Sequence, residues 1–262
     1  MKTGIAILFL FAAACMPGDK KQIHKVVYDE RALKGFVLTT LNQNKDKSVK
    51  ALDSILANAS KDSVVFSQTV AYLDEPFGSP NSAYKNDELY STLLQAKMES
   101  QWIDSFNKEK AIERLHLVMQ NQPGTIANYF TYQTPAGYKK NLHDLKANFT
   151  LLYFYNPECP ACKEMMTAIL SSPAITQKVK TGELKILAVY TDKDENIWLN
   201  HLEAMPKDWI HGRDQDEYLH KNKIYDLRAI PTLYLLDADK RVLLKDCIDI
   251  RTNENRIFNI VT

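Results

Sequence analysis

An excess of charge of one sign is absent from this chain: 33 Lys and Arg stand against 32 Asp and Glu, a formal net charge of +1. The lysines are scattered, with no basic helix and no array of aromatic and basic residues, which argues against a nucleic-acid partner. Cysteine is scarce, four in 262 residues, and a single CxxC occurs. No second CxxC, HxxxH or CxxH accompanies it, so no metal site is expected. Beyond the first fifteen residues no segment is long and apolar enough for a membrane helix. What is present is an ordinary globular composition, 45% hydrophobic and 25% charged, long enough to bury a sizeable core and to form two domains.

The most informative stretch is 149–164, FTLLYFYNPECPACKE. Leu151, Leu152, Tyr153, Phe154 and Tyr155 read as a buried central strand, which Asn156 and Pro157 stop. Cys159-Pro160-Ala161-Cys162 follows directly, and residues 163–170 are good helix formers. The pattern predicts Cys159 at a helix N-cap with Pro160 at the first helical position, where its missing N–H costs nothing. Unpaired N–H groups and the positive end of the helix dipole favour an anion there, so Cys159 is the expected nucleophile. Cys162, close to one turn further, is the expected resolving thiol, within disulfide reach and directed inward. A structural disulfide is the plain alternative for such a pair.

The chain opens like an export signal, with Lys2, an apolar run over 5–11, then Ala12-Ala13-Ala14 ending at Cys15. Ala-Ala-Ala-Cys resembles the lipobox of bacterial lipoproteins, with Ala12 in place of the usual leucine. That resemblance implies a lipidated Cys15 attaching the chain to a membrane. Ala12 and Ala14 also satisfy an A-x-A cleavage rule, so an unlipidated exported protein is the alternative. Both readings place the chain in the cell envelope, on the periplasmic side of a Gram-negative-like cell, with 1–15 as leader and 16–28 as tether.

Residues 29–122 predict an all-α helical bundle. Leu33, Phe36, Val37 and Leu41 repeat at three-to-four spacing, as do Val49, Leu52, Ile55 and Leu56. A third segment, 64–73, is expected to end at Glu75-Pro76, before the turn-rich Gly78-Ser79-Pro80-Asn81. A long segment from Asp87 carries Leu89, Leu93, Leu94, Met98, Trp102, Ile103 and Phe106, and another carries Ile112, Leu115, Val118 and Met119. Four or five helices result, closed off by Gln122-Pro123-Gly124. No catalytic set is visible in them. The loop 74–87, with Phe77, Pro80 and Tyr84, is a candidate surface for a partner or for the second domain.

From Thr125 the periodicity changes. Loose alternation over 125–133, a turn at Pro135-Ala136-Gly137 and a brief helical turn over 142–146 suggest a hairpin that extends a sheet. Residues 184–190 read as a second buried strand, parallel to the first because a helix separates them. Helical stretches are expected around 195–205 and 215–223. The strands within 228–237 and 241–245 are joined so tightly that they must be antiparallel. Cys247, just beyond, reads as a partly buried packing residue.

The order strand, CxxC helix, strand, helix, then Ile230-Pro231-Thr232 opening a hairpin resembles the thioredoxin fold, an α/β mixed sheet with flanking helices, over residues 124–262. The resemblance implies that Pro231 is cis and that Ile230 and Pro231 pack against the CxxC and bind substrate. The stretch PGTIANYFTYQTPAGYKKNLHDLKANFTLLYFY, with Trp209 and Tyr225, is similar to the membrane-tethered periplasmic thioredoxins used in cytochrome c maturation. Asp74-Glu-Pro-Phe-Gly-Ser-Pro-Asn-Ser-Ala-Tyr84 resembles a motif of helical bundles that precede thioredoxin-like domains in bacterial lipoproteins of unestablished function.

Three positions depart from that family. Glu158 stands where tryptophan is common, Tyr153 where many members bury an acid, and Met165 where the tethered members carry a glutamate. A carboxylate at 158 opposes a thiolate at 159, and the proton relay at Cys162 is left to a helper such as Glu164 or a water. The expected function is an exported, lipid-anchored thiol-disulfide oxidoreductase that reduces disulfide-bearing proteins, uses no bound cofactor and draws on a membrane electron donor. The alternative class is a non-catalytic binding protein whose helical domain recognises a partner. A peroxidase is disfavoured by Asn156, where peroxiredoxins carry threonine or serine.

Overall fold

Five helices come first: α1 (Glu30–Thr40), α2 (Lys45–Ala59), α3 (Ser63–Gly78), α4 (Asp87–Glu99) and α5 (Ser105–Met119). The computed structural model describes residues 26–259, so the leader, Cys15 and most of the expected tether lie outside the described residues. Each helix begins at an Asp or Asn, at 29, 44, 62, 86 and 104, whose side chain accepts from first-turn N–H groups. Their apolar stripes converge on Leu52, Leu73, Phe77 and Leu93, all fully buried.

Three details differ from the sequence reading. Pro76 does not end α3, which runs two residues past it. A proline there costs one i→i−4 bond, to the Tyr72 carbonyl, close to the helix end, and Phe77 still reaches the core. The long segment from Asp87 breaks over 100–104, where Ser100 takes extended backbone, its Oγ accepts from Trp102 N at 3.1 Å, and Asp104 caps α5. Leu41 lies beyond the end of α1 and is exposed, as are Trp102 and Phe106.

The second half is one mixed sheet. β1 (Thr131–Gln133), β2 (Lys139–Asn141), β3 (Phe149–Tyr155), β4 (Leu184–Tyr190), β5 (Ile210–Arg213), β6 (Thr232–Leu236) and β7 (Val242–Lys245) lie in the order β2-β1-β5-β4-β3-β6-β7. Every residue of β3 is buried. It runs parallel to β4 and antiparallel to β6, with Phe154 opposite Thr232. Helices α6 (Pro160–Ser171) and α7 (Pro173–Lys180) carry the chain from β3 to β4, and α8 (Glu195–His201) leads on towards β5.

Strand β5 was not expected. Ile210-His211-Gly212-Arg213 is too short and mixed to show alternation, and it is a strand because β4 and β1 pair with its two sides. The predicted helix over 215–223 shrinks to α9 (Tyr218–Lys221), and α10 (Ile250–Asn259) is an addition to the sequence reading, marked by Asp249 ahead of it, whose carboxylate accepts from Arg251 N at 3.2 Å. Tyr153, Tyr155, Trp198 and Trp209 fill one face of the sheet with Cys162, while Phe130, Phe154, Tyr225 and Tyr234 fill the other.

The halves meet along one seam. Arg228 Nη1 donates to the Gly78 carbonyl at 2.9 Å, Asn121 Nδ2 to the Ile224 carbonyl at 2.7 Å, and Lys85 pairs with Asp246. Lys245 Nζ reaches both the Val118 carbonyl, at 2.5 Å, and Asp87, at 2.6 Å. Gly78 is required at its position, since a Cβ there would lie 2.3 Å from the Tyr90 ring.

Candidate active site

Strand β3 delivers the chain to a tight turn at Asn156. The Asn156 Oδ1 accepts from Glu158 N at 2.8 Å and its carbonyl from Cys159 N at 3.1 Å. Cys159 then takes extended backbone as the N-cap of α6, with Pro160 following inside the first turn. Its Sγ accepts from Cys162 N at 3.3 Å, so the sulfur occupies the acceptor place that a carboxylate or amide oxygen takes at the five earlier caps. Both cysteines are free thiols, Cys159 half-buried and Cys162 only 2% exposed.

The loop before β6 closes over this pair. Cys159 Sγ lies 3.6 Å from the Ile230 carbonyl, the Ile230–Pro231 peptide is cis, and Thr232 Oγ1 donates to the Ala229 carbonyl at 2.7 Å. The sulfur expected to attack and the edge expected to receive substrate are thus brought together, from the end of β3 and the start of the adjacent β6.

Burial pushes the Cys162 thiol up to about 12, and the hydrogen bond and charge of Cys159 push the same way. The inner thiol is therefore held protonated behind the more exposed Cys159 sulfur.

Among the described residues no carboxylate hydrogen-bonds to either thiol. Tyr153 holds the inner position instead, donating its hydroxyl to the Cys162 carbonyl at 2.6 Å. Its ring stacks on Tyr155 at 5.3 Å and 11°, with Trp209 edge-on at 5.9 Å. Burial holds the Tyr153 phenol far above the ordinary tyrosine range, so it acts as a neutral donor and not as a base. Glu158 and Glu164, the helpers offered by the sequence, both stand exposed. Met165 packs part-buried against the same cluster. Cys247 is elsewhere, half-buried, with its N–H donating to the Leu233 carbonyl at 3.2 Å.

Sequence reasoning missed one pair. Arg228 clamps Asp226 through Nε at 2.7 Å and Nη2 at 2.6 Å, two residues before Ile230, while its Nη1 reaches Gly78 in the helical half. Burial alone would raise the Asp226 carboxyl, but the Arg228 hydrogen bonds and charge, with Lys85 beside them, outweigh it and hold the group below the usual range. An Asp-x-Arg immediately ahead of Ile-Pro-Thr was the available signal. Among the described residues no group of three or more His, Cys, Asp or Glu is placed to hold a metal ion.

Comparison with known proteins follows this division of the chain. Residues 17–121 match a domain of unknown function (DUF5106), and residues 148–242 match a thioredoxin-like family. The C-terminal domain of an uncharacterized protein from Bacteroides fragilis is 41% identical, covering 52% of this chain and 96% of its own, with a TM-score of 0.50. Among curated proteins, Danio rerio nucleoredoxin is 27% identical over 103 residues, 38% of this chain and 24% of nucleoredoxin. The chain spans about a quarter of the length of the curated relatives it matches. A thioredoxin-like protein from Bacteroides caccae is 34% identical, with a TM-score of 0.77 over 81% of this chain and 77% of its own. That coverage is more than the sheet half alone provides, and with the CxxC cap and the Ile230-Pro231 loop in place, this chain belongs to the thioredoxin-like proteins.

Proposed function

We propose that this chain is a thiol-disulfide oxidoreductase of the cell envelope, held to a membrane through lipidated Cys15, which reduces protein disulfides with the Cys159/Cys162 dithiol. The observation that supports it is the half-exposed Cys159 sulfur at the cap of α6, 3.6 Å from the Ile230 carbonyl, with buried Cys162 one turn behind it.

In this reading the Cys159 thiolate attacks one sulfur of a substrate disulfide docked against Ile230 and Pro231. A mixed disulfide forms, the substrate S–S bond breaks, and the departing sulfur leaves as a thiolate that takes up a proton. Cys162 then gives its proton to water and attacks Cys159 Sγ, displacing the second substrate sulfur. The substrate gains two electrons and the chain is left with a Cys159–Cys162 disulfide. A dithiol donor at the membrane returns the two electrons, since the surrounding compartment is oxidising. No bound cofactor takes part.

The test is reduction of a disulfide-bearing protein by the chain with Cys247→Ser as background. Cys159→Ser is expected to abolish turnover, by a thousandfold or more, and retained turnover would overturn the reading. The Cys159–Cys162 couple is expected near −270 mV, the range of a reductant, and a value near −120 mV would make the chain an oxidant.

A further inference from the structure

A cleft of about 430 Å³ separates α5 from the segment that leads into the Ile230 loop, and its charges do not balance. Lys110, Glu113 and Arg114 line it from the helical half, and His220, Lys223 and Arg228 from the sheet half. Lys223 is paired with Glu113 at 2.8 Å, and Arg228 with Asp226. Among the described residues Lys110 has only the Phe106 ring, 4.1 Å from its Nζ. Arg114 makes no ion pair or hydrogen bond with the described residues, and its Nη1 is buried without a partner. Two cations are thus left without an acid at the wall of one cavity.

A buried guanidinium N–H with no acceptor is costly, because it has given up water and gained no partner in exchange. The planar fork of arginine matches an oxyanion, which can take two of its N–H groups at once. We propose that this cleft is an oxyanion-binding site, in which Arg114 and Lys110 receive a carboxylate or phosphate. Its location suggests two sources for that group. Arg228 lines the cleft and lies two residues before Ile230, so at most about 7 Å of chain separates the cleft wall from the docking edge. An acidic side chain of a protein bound at Cys159 is one source and free phosphate is the other. Oxyanion binding stands by itself, and only the peptide source rests on the oxidoreductase reading.

The test begins with inorganic phosphate, titrated at low ionic strength into the whole chain carrying Cys159→Ser and followed by NMR, so that the cleft is read without turnover. Saturable binding is expected, weakened at least tenfold by Arg114→Gln and severalfold by Lys110→Gln, an exposed position where folding is not at stake. Binding unchanged in both variants overturns the proposal. In the active chain, a disulfide peptide with Asp or Glu beside its cystine is then compared with its Asn or Gln counterpart by kcat/KM. A preference for the acidic peptide that Arg114→Gln removes supports the peptide source, and phosphate binding with no such preference supports the free anion. The absence of both phosphate binding and an acidic preference overturns the site, whether or not the dithiol turns over.

Discussion

The helical half and the sheet half bury different chemistry. The first is closed by aliphatic side chains, Leu52, Leu73, Leu89 and Leu93, around Phe66 and Phe77, and contains no thiol among its described residues. The second is filled by Tyr153, Tyr155, Tyr190, Tyr225, Tyr234 and Trp198, with Cys162 among them. A leucine core has only to be filled, whereas a tyrosine core must also find acceptors for its hydroxyls. Tyr153 finds the Cys162 carbonyl and Tyr225 the Asn128 carbonyl at 2.9 Å, whereas the buried Tyr155 and Tyr234 hydroxyls have no hydrogen-bond partner among the described residues. The difference teaches where sequence change is tolerated. Repacking the helical half leaves the sulfurs alone, while repacking the sheet half disturbs the bonds that hold them.

The sharpest way to break that contrast is Leu93→Ala, which opens a cavity at a fully buried position of the helical core. A loss of about 2–5 kcal/mol is expected in α1 to α5, read by urea denaturation, with the Cys159–Cys162 redox equilibrium unchanged. If the thiol pair loses its native potential at the same urea midpoint, the halves fold as one unit and the contrast fails.

Gly78→Ala addresses the seam. The added methyl meets the Tyr90 ring, so the Gly78 carbonyl must shift away from Arg228 at an expected cost of about 1–3 kcal/mol. Denaturation gives the size, and the NMR signal of the Arg228 side chain shows whether the contact is lost. An unmoved signal would mean that the ring yields instead.

The smallest effect concerns Cys162 and pH. Its thiol is raised to about 12 in the folded chain, so the unfolded chain loses this proton first, above about pH 9. The contribution is complete below that point, and stability falls as pH rises through it. Between pH 9 and 10 the reduced chain is expected to lose about 1 kcal/mol that Cys162→Ala does not lose. Cys247→Ser serves as background for both, because burial raises Cys247 as well. Equal slopes in the two urea series would show that Cys162 is not held protonated.

Much of this arrangement was legible in the residues. Five apolar or aromatic residues in a row, Leu151 to Tyr155, stopped by Asn156 and Pro157 and followed by CxxC and helix formers, fix β3, the cap at Cys159 and α6, because each signal is local. The misread features depend on partners distant in sequence. Pro76 stays helical because Phe77 has a core to enter, and β5 is a strand because two neighbours pair with it. Arg228 is half of an ion pair in sequence but a bridge in space, since its second partner is a backbone carbonyl 150 residues earlier. Charge imbalance at Arg114 is likewise visible only once α5 and the 220–228 segment face each other.

The pairing of Phe154 with Thr232 has a consequence for how such a molecule changes over time. Cys159 and Pro231 hang from the ends of two neighbouring central strands, so their alignment is inherited from a hydrogen-bonded register that a single-residue slip would invert. Alignment is thus set deep in the sheet, away from the surface that partners touch. Residues around the rim, such as Glu164 and the walls of the cleft, lie outside that register, so their surroundings can be rewritten without shifting how the two loops meet.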